Sequence, residues 1–400
     1  MQTPMKIRAF LWLSIDALYS LISGITYVLI SFFIWEQSNS INLILWFNVI
    51  IFLTLLCNSF ISGLFSVVGS PKLSYLLSIT SFTITAYFVY TLQEETHHYI
   101  VFISILIGLV YSFLYTARPL INRTLVDKTH FISYNSIKQI LFSVISVSTP
   151  LIINLGLQFK SYTELLYISM FGFFTLLLLS LLFIPKTNPS QRIIIHKLLA
   201  KSFTNSTIKK ISHIKLSNGI AYSMGWGLLN ILVLEQLGSV SNWSYISIAG
   251  AIVGILISYK LKSLDINNTS LSRMIISTSA MCFAVLPILL VVNFTLELFI
   301  IFMLAKVAFE KVTNIISENY IYSIESKDHH FEEKQISYQI FSDIFMSLGQ
   351  LVPVAILFIL PESLLSTTTL IIMLTLTSLA PYLTSKSYST YFQTIQGIDE

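Results

Sequence analysis

Twelve apolar stretches of membrane-crossing length follow one another along this sequence, at approximately 9–33, 43–67, 73–92, 99–122, 133–155, 163–184, 214–236, 242–261, 272–293, 297–322, 336–359 and 364–384. A helix needs about 20 apolar residues to cross a bilayer. Lipid offers the backbone no hydrogen-bond partner, so each stretch must satisfy its own amides as a helix. Only 10% of the 400 residues are charged and 54% are hydrophobic, a balance no soluble domain of this length needs. The run from Phe10 to Trp35 is too long for the core of a signal peptide, and no small-residue cleavage site follows it, so it reads as the first span. The expected class is an all-α polytopic membrane protein.

Short turns separate most of the spans. The one long connection, 185–213, is basic and polar and divides the chain into six spans plus six. The expected units are an N-terminal six-helix bundle (1–184), a basic linker (185–213) and a C-terminal six-helix bundle (214–400). Lys and Arg gather on the cytoplasmic side of membrane proteins. With the N-terminus inside, Lys6, Arg8, Lys72, Lys128, the linker, Lys260, Lys262, Arg273, Lys327, Lys334 and Lys386 all fall inside. Glu36, Glu94, Glu95, Glu164, Glu235, Glu297 and Glu362 fall outside, and only Lys160 breaks the pattern. The net charge of +4 is therefore read as topology and not as nucleic-acid binding. Both termini are expected in the cytoplasm, and the compartment is expected to be a bacterial inner membrane.

The halves carry a faint repeat. Ile-Ser-Tyr occurs at 132–134 and again at 336–338, each followed by a proline, Pro150 and Pro353. Both tripeptides open the fifth span of their half, which favours duplication over chance.

Charge inside the spans is the second constraint. The tenth span holds Lys306, Glu310, Lys311 and Glu318. A charge at a helix centre costs roughly 2.5–3.5 kcal/mol in lipid on the mildest scale, so it needs polar company. Lys306, Glu310, Thr313 and Ser317 share one face. They read either as a structural ion pair or as a lining of a pathway. Asp16, Ser20, Ser23 and Tyr27 form a similar stripe on the first span, and Tyr111, Tyr115, Arg118 and Asn122 on the fourth. Tyr222, Trp226 and Asn230 do so on the seventh. Asp343 shares a face with Gln339, Ser347 and Gln350. Arg118 is suited to bind an anion or to pair with Asp16, whereas Arg123 and Lys128 read as residues snorkelling to the interface. Gly250 and Gly254 read as a helix-packing pair.

Cys57 and Cys282 lie far apart in apolar runs, and the seven histidines show no ligand spacing, so neither a disulfide framework nor a metal site is expected. No phosphate-cradling GxxxxGK[ST] loop occurs, which argues against ATP-driven transport by this chain alone. No cofactor is expected.

Twelve spans, a basic central loop and half-chain repeats resemble the Major Facilitator Superfamily. The turn after its second helix carries G-x-L-x-D-x-x-G-x-[RK] in that family. Here Ser62, Leu64, Ser66, Gly69 and Lys72 occupy that stretch, and Ser66 stands for the acid. The turn after the eighth span gives Gly254, Leu256 and Ser258, again without an acid. Residues 32–48 are similar to a small bacterial subgroup of transporters. Arg118 matches a fourth-helix R-x-x-x-G motif whose last position is Asn122 here. The resemblance implies two six-helix bundles and a central cavity lined by helices one, four, seven and ten. It also implies secondary transport of a small molecule by alternating access, without enzymatic chemistry. The residues expected to line the substrate or ion pathway are Asp16, Tyr115, Arg118, Trp226, Lys306, Glu310 and Asp343. Proton coupling, export of a small amphiphilic or anionic solute and a monomeric state complete the expectation. The alternatives are a polysaccharide-lipid flippase and a non-transporting membrane sensor or assembly factor. The missing acids at Ser66 and Ser258 motivate the last.

Overall fold

The structure is a computed structural model that describes residues 7–38, 40–126, 130–186, 195–223, 240–263, 269–293, 295–325, 331–359 and 371–382. The described residues are almost wholly helical. The elements are α1 (Ile7–Ser38), α2 (Ile41–Gly69), α3 (Pro71–Leu92), α4 (Ile100–Leu125), α5 (Phe131–Phe159), α6 (Tyr162–Phe183) and α7 (Ile195–Thr204). Then come α8 (Ser206–Ser223), α9 (Val240–Ser263), α10 (Thr269–Val292), α11 (Leu296–Glu325) and α12 (Phe331–Ile359), and a shorter α13 (Ile371–Tyr382). Among the described residues eight helices are long and apolar enough to cross a membrane.

Helix ends fall where side chains satisfy free amides. Ser40 caps α2 by accepting from the Leu43 amide, and Ser161 with Glu164 forms a capping box at the start of α6. Pro71 opens α3 directly after Ser70, whose φ of 85° makes the tight corner from α2. Asn205 caps α8 through Ile208 N at 3.2 Å. That cap starts the helix at Ser206, eight residues ahead of the apolar window. Residues 206–213 are polar enough to hide a helix from a hydropathy reading, but a helix projecting out of lipid needs no apolar run.

The linker is also not a plain loop. In α7, Ile195 and Leu198 are buried while His196, Lys197 and Lys201 point outward. Ile195 packs with Leu120 of α4 and Ile336 and Ile340 of α12, with Val67 of α2 alongside. This amphipathic helix thus touches both halves of the chain.

Between the halves, α2 packs on α12 and α5 packs on α9, while α4 also meets α12 and α5 meets α11. Within the second half α8 and α12 come closest. Gly219 and Gly349 face each other there, and a Cβ on either would run into the carbonyl oxygen of Met346 or Leu216. Gly349→Val is expected to abolish monodisperse folded protein in size-exclusion chromatography, since backbone cannot yield as a side chain does and overpacking costs at least about 1–3 kcal/mol. Gly250→Ala should be tolerated, because its Cβ would meet only a Val307 methyl at 3.3 Å.

The two Ile-Ser-Tyr segments lie near the starts of α5 and α12, as the second to fourth and the sixth to eighth residues of helices 29 residues long.

Candidate functional site

A cavity of about 370 Å³ lies between the halves, bordered by α4 and α5 on one side and by α8, α11 and α12 on the other. Ligand pockets generally measure about 300–1,000 Å³. Its wall is polar and charged, which in an apolar protein demands an account.

On the first side the anchor is Asp16 of α1, fully buried. Arg118 Nε donates to Asp16 Oδ1 at 2.6 Å, and Arg118 Nη2 donates to Ser20 Oγ at 3.0 Å. Lys138 of α5 approaches Asp16 Oδ2 at 3.8 Å, an ion pair too long for a hydrogen bond. The Phe142 ring lies 5.4 Å from the Arg118 guanidinium and 5.3 Å from the Lys138 ammonium, a face suited to both cations. One acid thus serves two cations, and both cations border the cavity while the acid lies behind them. Asn122 braces this wall: its Oδ1 accepts from Trp12 Nε1 at 2.6 Å and from the Tyr134 hydroxyl at 2.9 Å. An amide where the family motif has glycine thereby ties α1, α4 and α5 together.

On the second side the charge order is reversed. Lys215 of α8 donates to Glu318 of α11 at 2.7 Å, and the Tyr222 hydroxyl donates to Asn314 at 3.0 Å. Asp343 of α12 accepts from Gln339 Nε2 at 2.8 Å and from the Thr116 hydroxyl of α4 at 3.2 Å. Gln339 Nε2 also reaches the Tyr115 carbonyl at 3.2 Å.

At the end of the molecule where α4 and α11 stop, a second layer joins the halves. Arg123 Nη2 donates to Glu325 Oε2 at 2.7 Å, with side chains 6% and 0% exposed. The rings of Phe131 and Tyr322 stack at 4.4 Å, and Asn135 donates to Asn319 at 3.3 Å. Arg123 is therefore not a snorkelling residue. It sits inward because a carboxylate from the other half waits there.

Of the residues expected from sequence, Tyr115, Arg118 and Asp343 border the cavity, and Asp16 supports it through Arg118. Lys306 and Glu310 pair with each other one turn apart at 2.7 Å and do not border it. Trp226 lies outside the described residues. Sequence reasoning passed over Lys138, Lys215, Glu318, Arg123 and Glu325 as site residues. A signal for four of these exists: Asp16 and Arg118 recur half a chain later as Lys215 and Glu318 with signs exchanged, and Arg123 recurs as Glu325. At the degenerate turns, Ser66 is buried and bonds Ser74 Oγ at 2.7 Å, so a hydroxyl pair joins α2 to α3 where the family has an acid.

No family model matches the sequence, and no curated protein matches it. Among solved structures, the human organic anion transporter MFSD10 (TETRAN) superposes with a TM-score of 0.66 at 10% identity, covering 96% of this chain and 100% of that one. A point mutant of the nucleoside transporter NupG superposes with a TM-score of 0.65 at 11% identity, covering 96% of this chain and 99% of that one. The fold is of the Major Facilitator type.

Proposed function

We propose that this protein is a secondary active transporter that moves a small molecule by alternating access. Two six-helix bundles, 1–184 and 214–400, would rock about the cavity, joined by the 185–213 linker. The observation that carries the reading is the cavity itself, walled by charged side chains from both halves. The pairing of α2 with α12 and of α5 with α9 supports the two-bundle arrangement. These are the second, eleventh, fifth and eighth spans, and a twofold exchange of halves turns one pairing into the other. Basic residues favour both termini on the cytoplasmic side of a bacterial inner membrane. The protein is taken as a monomer.

The substrate class follows from charge. Arg118 and Lys138 share a single acid, so this wall keeps a surplus positive charge beside an aromatic ring. That suits a small amphiphilic anion, and the neighbours' organic anions and nucleosides make natural first solutes. Export and coupling to protons complete the proposal.

Flux into proteoliposomes, with a panel of organic anions and nucleosides under an imposed pH gradient, tests it. Transport of an anion is expected for the wild type. In Lys138→Ala that flux should fall about ten- to a hundredfold at low substrate, the effect of losing one charge-assisted contact of about 1.5–3 kcal/mol. Gradient-insensitive liposomes with every solute would leave the sensor or assembly reading in place.

A further inference from the structure

Asp343 differs from the other acids of the cavity region in the company it keeps. Asp16, Glu318 and Glu325 each hold a Lys or Arg within ion-pair distance. Among the described residues, Asp343 has only neutral hydrogen-bond partners, Gln339 and Thr116. It is 8% exposed and borders the cavity.

Behind Thr116 the hydrogen bonds continue. Thr116 Oγ1 and Ser62 Oγ of α2 are 2.7 Å apart, and either can donate. Ser62 Oγ is also 2.9 Å from the Ser59 carbonyl oxygen. All these groups are buried. The chain can run in two directions. With Asp343 ionised, Ser62 donates to Thr116 and Thr116 donates to Asp343 Oδ2. With Asp343 protonated on Oδ2, the carboxyl donates to Thr116, Thr116 donates to Ser62, and Ser62 donates to the Ser59 carbonyl. Oδ1 accepts from Gln339 in both states. Every hydroxyl hydrogen has an acceptor either way, and no heavy atom has to move. An unsatisfied buried polar group costs about 1–3 kcal/mol, so a site that satisfies both protonation states removes a barrier to exchanging the proton.

We propose that Asp343 is the proton-binding residue of the cavity, and that Thr116 and Ser62 form a reversible relay that keeps α12 joined to α4 and α2 in either protonation state. The step is a proton transfer: a hydronium ion in the cavity gives its proton to the carboxylate and leaves as water, and release reverses it. The proposal rests on the transporter reading for its purpose, but not for its chemistry. Among the described residues, the charged and titratable groups that border the cavity with Asp343 are Tyr115, Arg118 and Arg123 of α4, Lys138 of α5, Lys215 and Tyr222 of α8, and Glu318 and Tyr322 of α11. The described part of α2 contributes no Asp, Glu, Lys, Arg or His, and the outward His196, Lys197 and Lys201 of α7 do not border the cavity. Asp16, held by Arg118, cannot take a proton without stranding two cations.

The test is difference infrared spectroscopy on the purified full-length protein between about pH 5 and about pH 9, with no substrate present. The wild type should show a carboxylic-acid C=O band that disappears at the alkaline end. Asp343→Asn should lose it while remaining monodisperse, because the amide mimics the protonated acid. Asp343→Glu should keep a band at a displaced frequency. Thr116→Val should displace the wild-type band and Thr116→Ser should leave it in place. A band undiminished in Asp343→Asn, or no such band in the wild type, overturns the proposal. Because no solute is used, failure here is separate from a failure of the flux assay, which bears on transport alone.

Discussion

Asp16→Ala should cost the protein most of its folded yield. The carboxylate is fully buried and holds Arg118 at 2.6 Å and Lys138 at 3.8 Å. Removing it leaves two largely buried positive charges at the cavity wall without their shared anion. Breaking a buried pair by deleting one partner costs about 3–5 kcal/mol, a large share of an ordinary domain's stability. The double variant Asp16→Asn with Arg118→Gln should recover much of that yield, since only Lys138 then lacks an anion and it borders the cavity. Fluorescence-detected size-exclusion chromatography with a thermal ramp reads both. Equal melting of Asp16→Ala and wild type would show that the pair adds nothing to the fold.

The second large effect is expected at the layer that closes the halves beside the cavity. Glu325→Gln removes the anion from Arg123 and should separate the ends of α4 and α11. The readout is labelling of Ser342→Cys by a water-soluble maleimide, with Cys57 and Cys282 replaced by alanine. Ser342 borders the cavity, so opening that end exposes it. A cost of about 3–5 kcal/mol on the closed form is enough to move a closed population of a hundred to one into the open form. Labelling should therefore accelerate at least about tenfold. Exchanging the signs, Arg123→Glu with Glu325→Arg, should restore slow labelling, because the layer needs a pair and not a particular order. Unchanged labelling in Glu325→Gln would mean that Phe131–Tyr322 and Asn135–Asn319 hold that end without the ion pair.

Much of the helix layout was legible because a bilayer enforces it. Length and hydropathy located most of the described helices, though not α7, and the stripe Asp16–Ser20 together with Arg118 announced two polar faces that the structure joins. What escaped notice did so for physical reasons. Lys215 is the second residue of the seventh apolar window, 214–236, at an edge where lysines are common in spans; Asn205 starts that helix earlier through a local hydrogen bond that hydropathy does not record. Arg123 sits in a last turn, where snorkelling to the interface and pairing with Glu325 predict the same residue type. Asp343 was noticed, but its partners Thr116 and Ser62 belong to helices far away in sequence, and hydroxyls are too common in this chain to stand out. Conversely, Lys306 and Glu310 looked most in need of outside partners, yet one helical turn let them serve each other.

The contact between Arg123 and Glu325 has a bearing on how such a molecule assembles. Two copies of the first half, brought together in the same way, would set Arg123 against Arg123 in a dry contact; two copies of the second would set Glu325 against Glu325. Like charges so placed cost several kcal/mol. Each half therefore rejects its own kind and accepts the other. During synthesis, a finished first half cannot pair off with the first half of a neighbouring molecule while it waits, and the correct companion is the one already tethered to it.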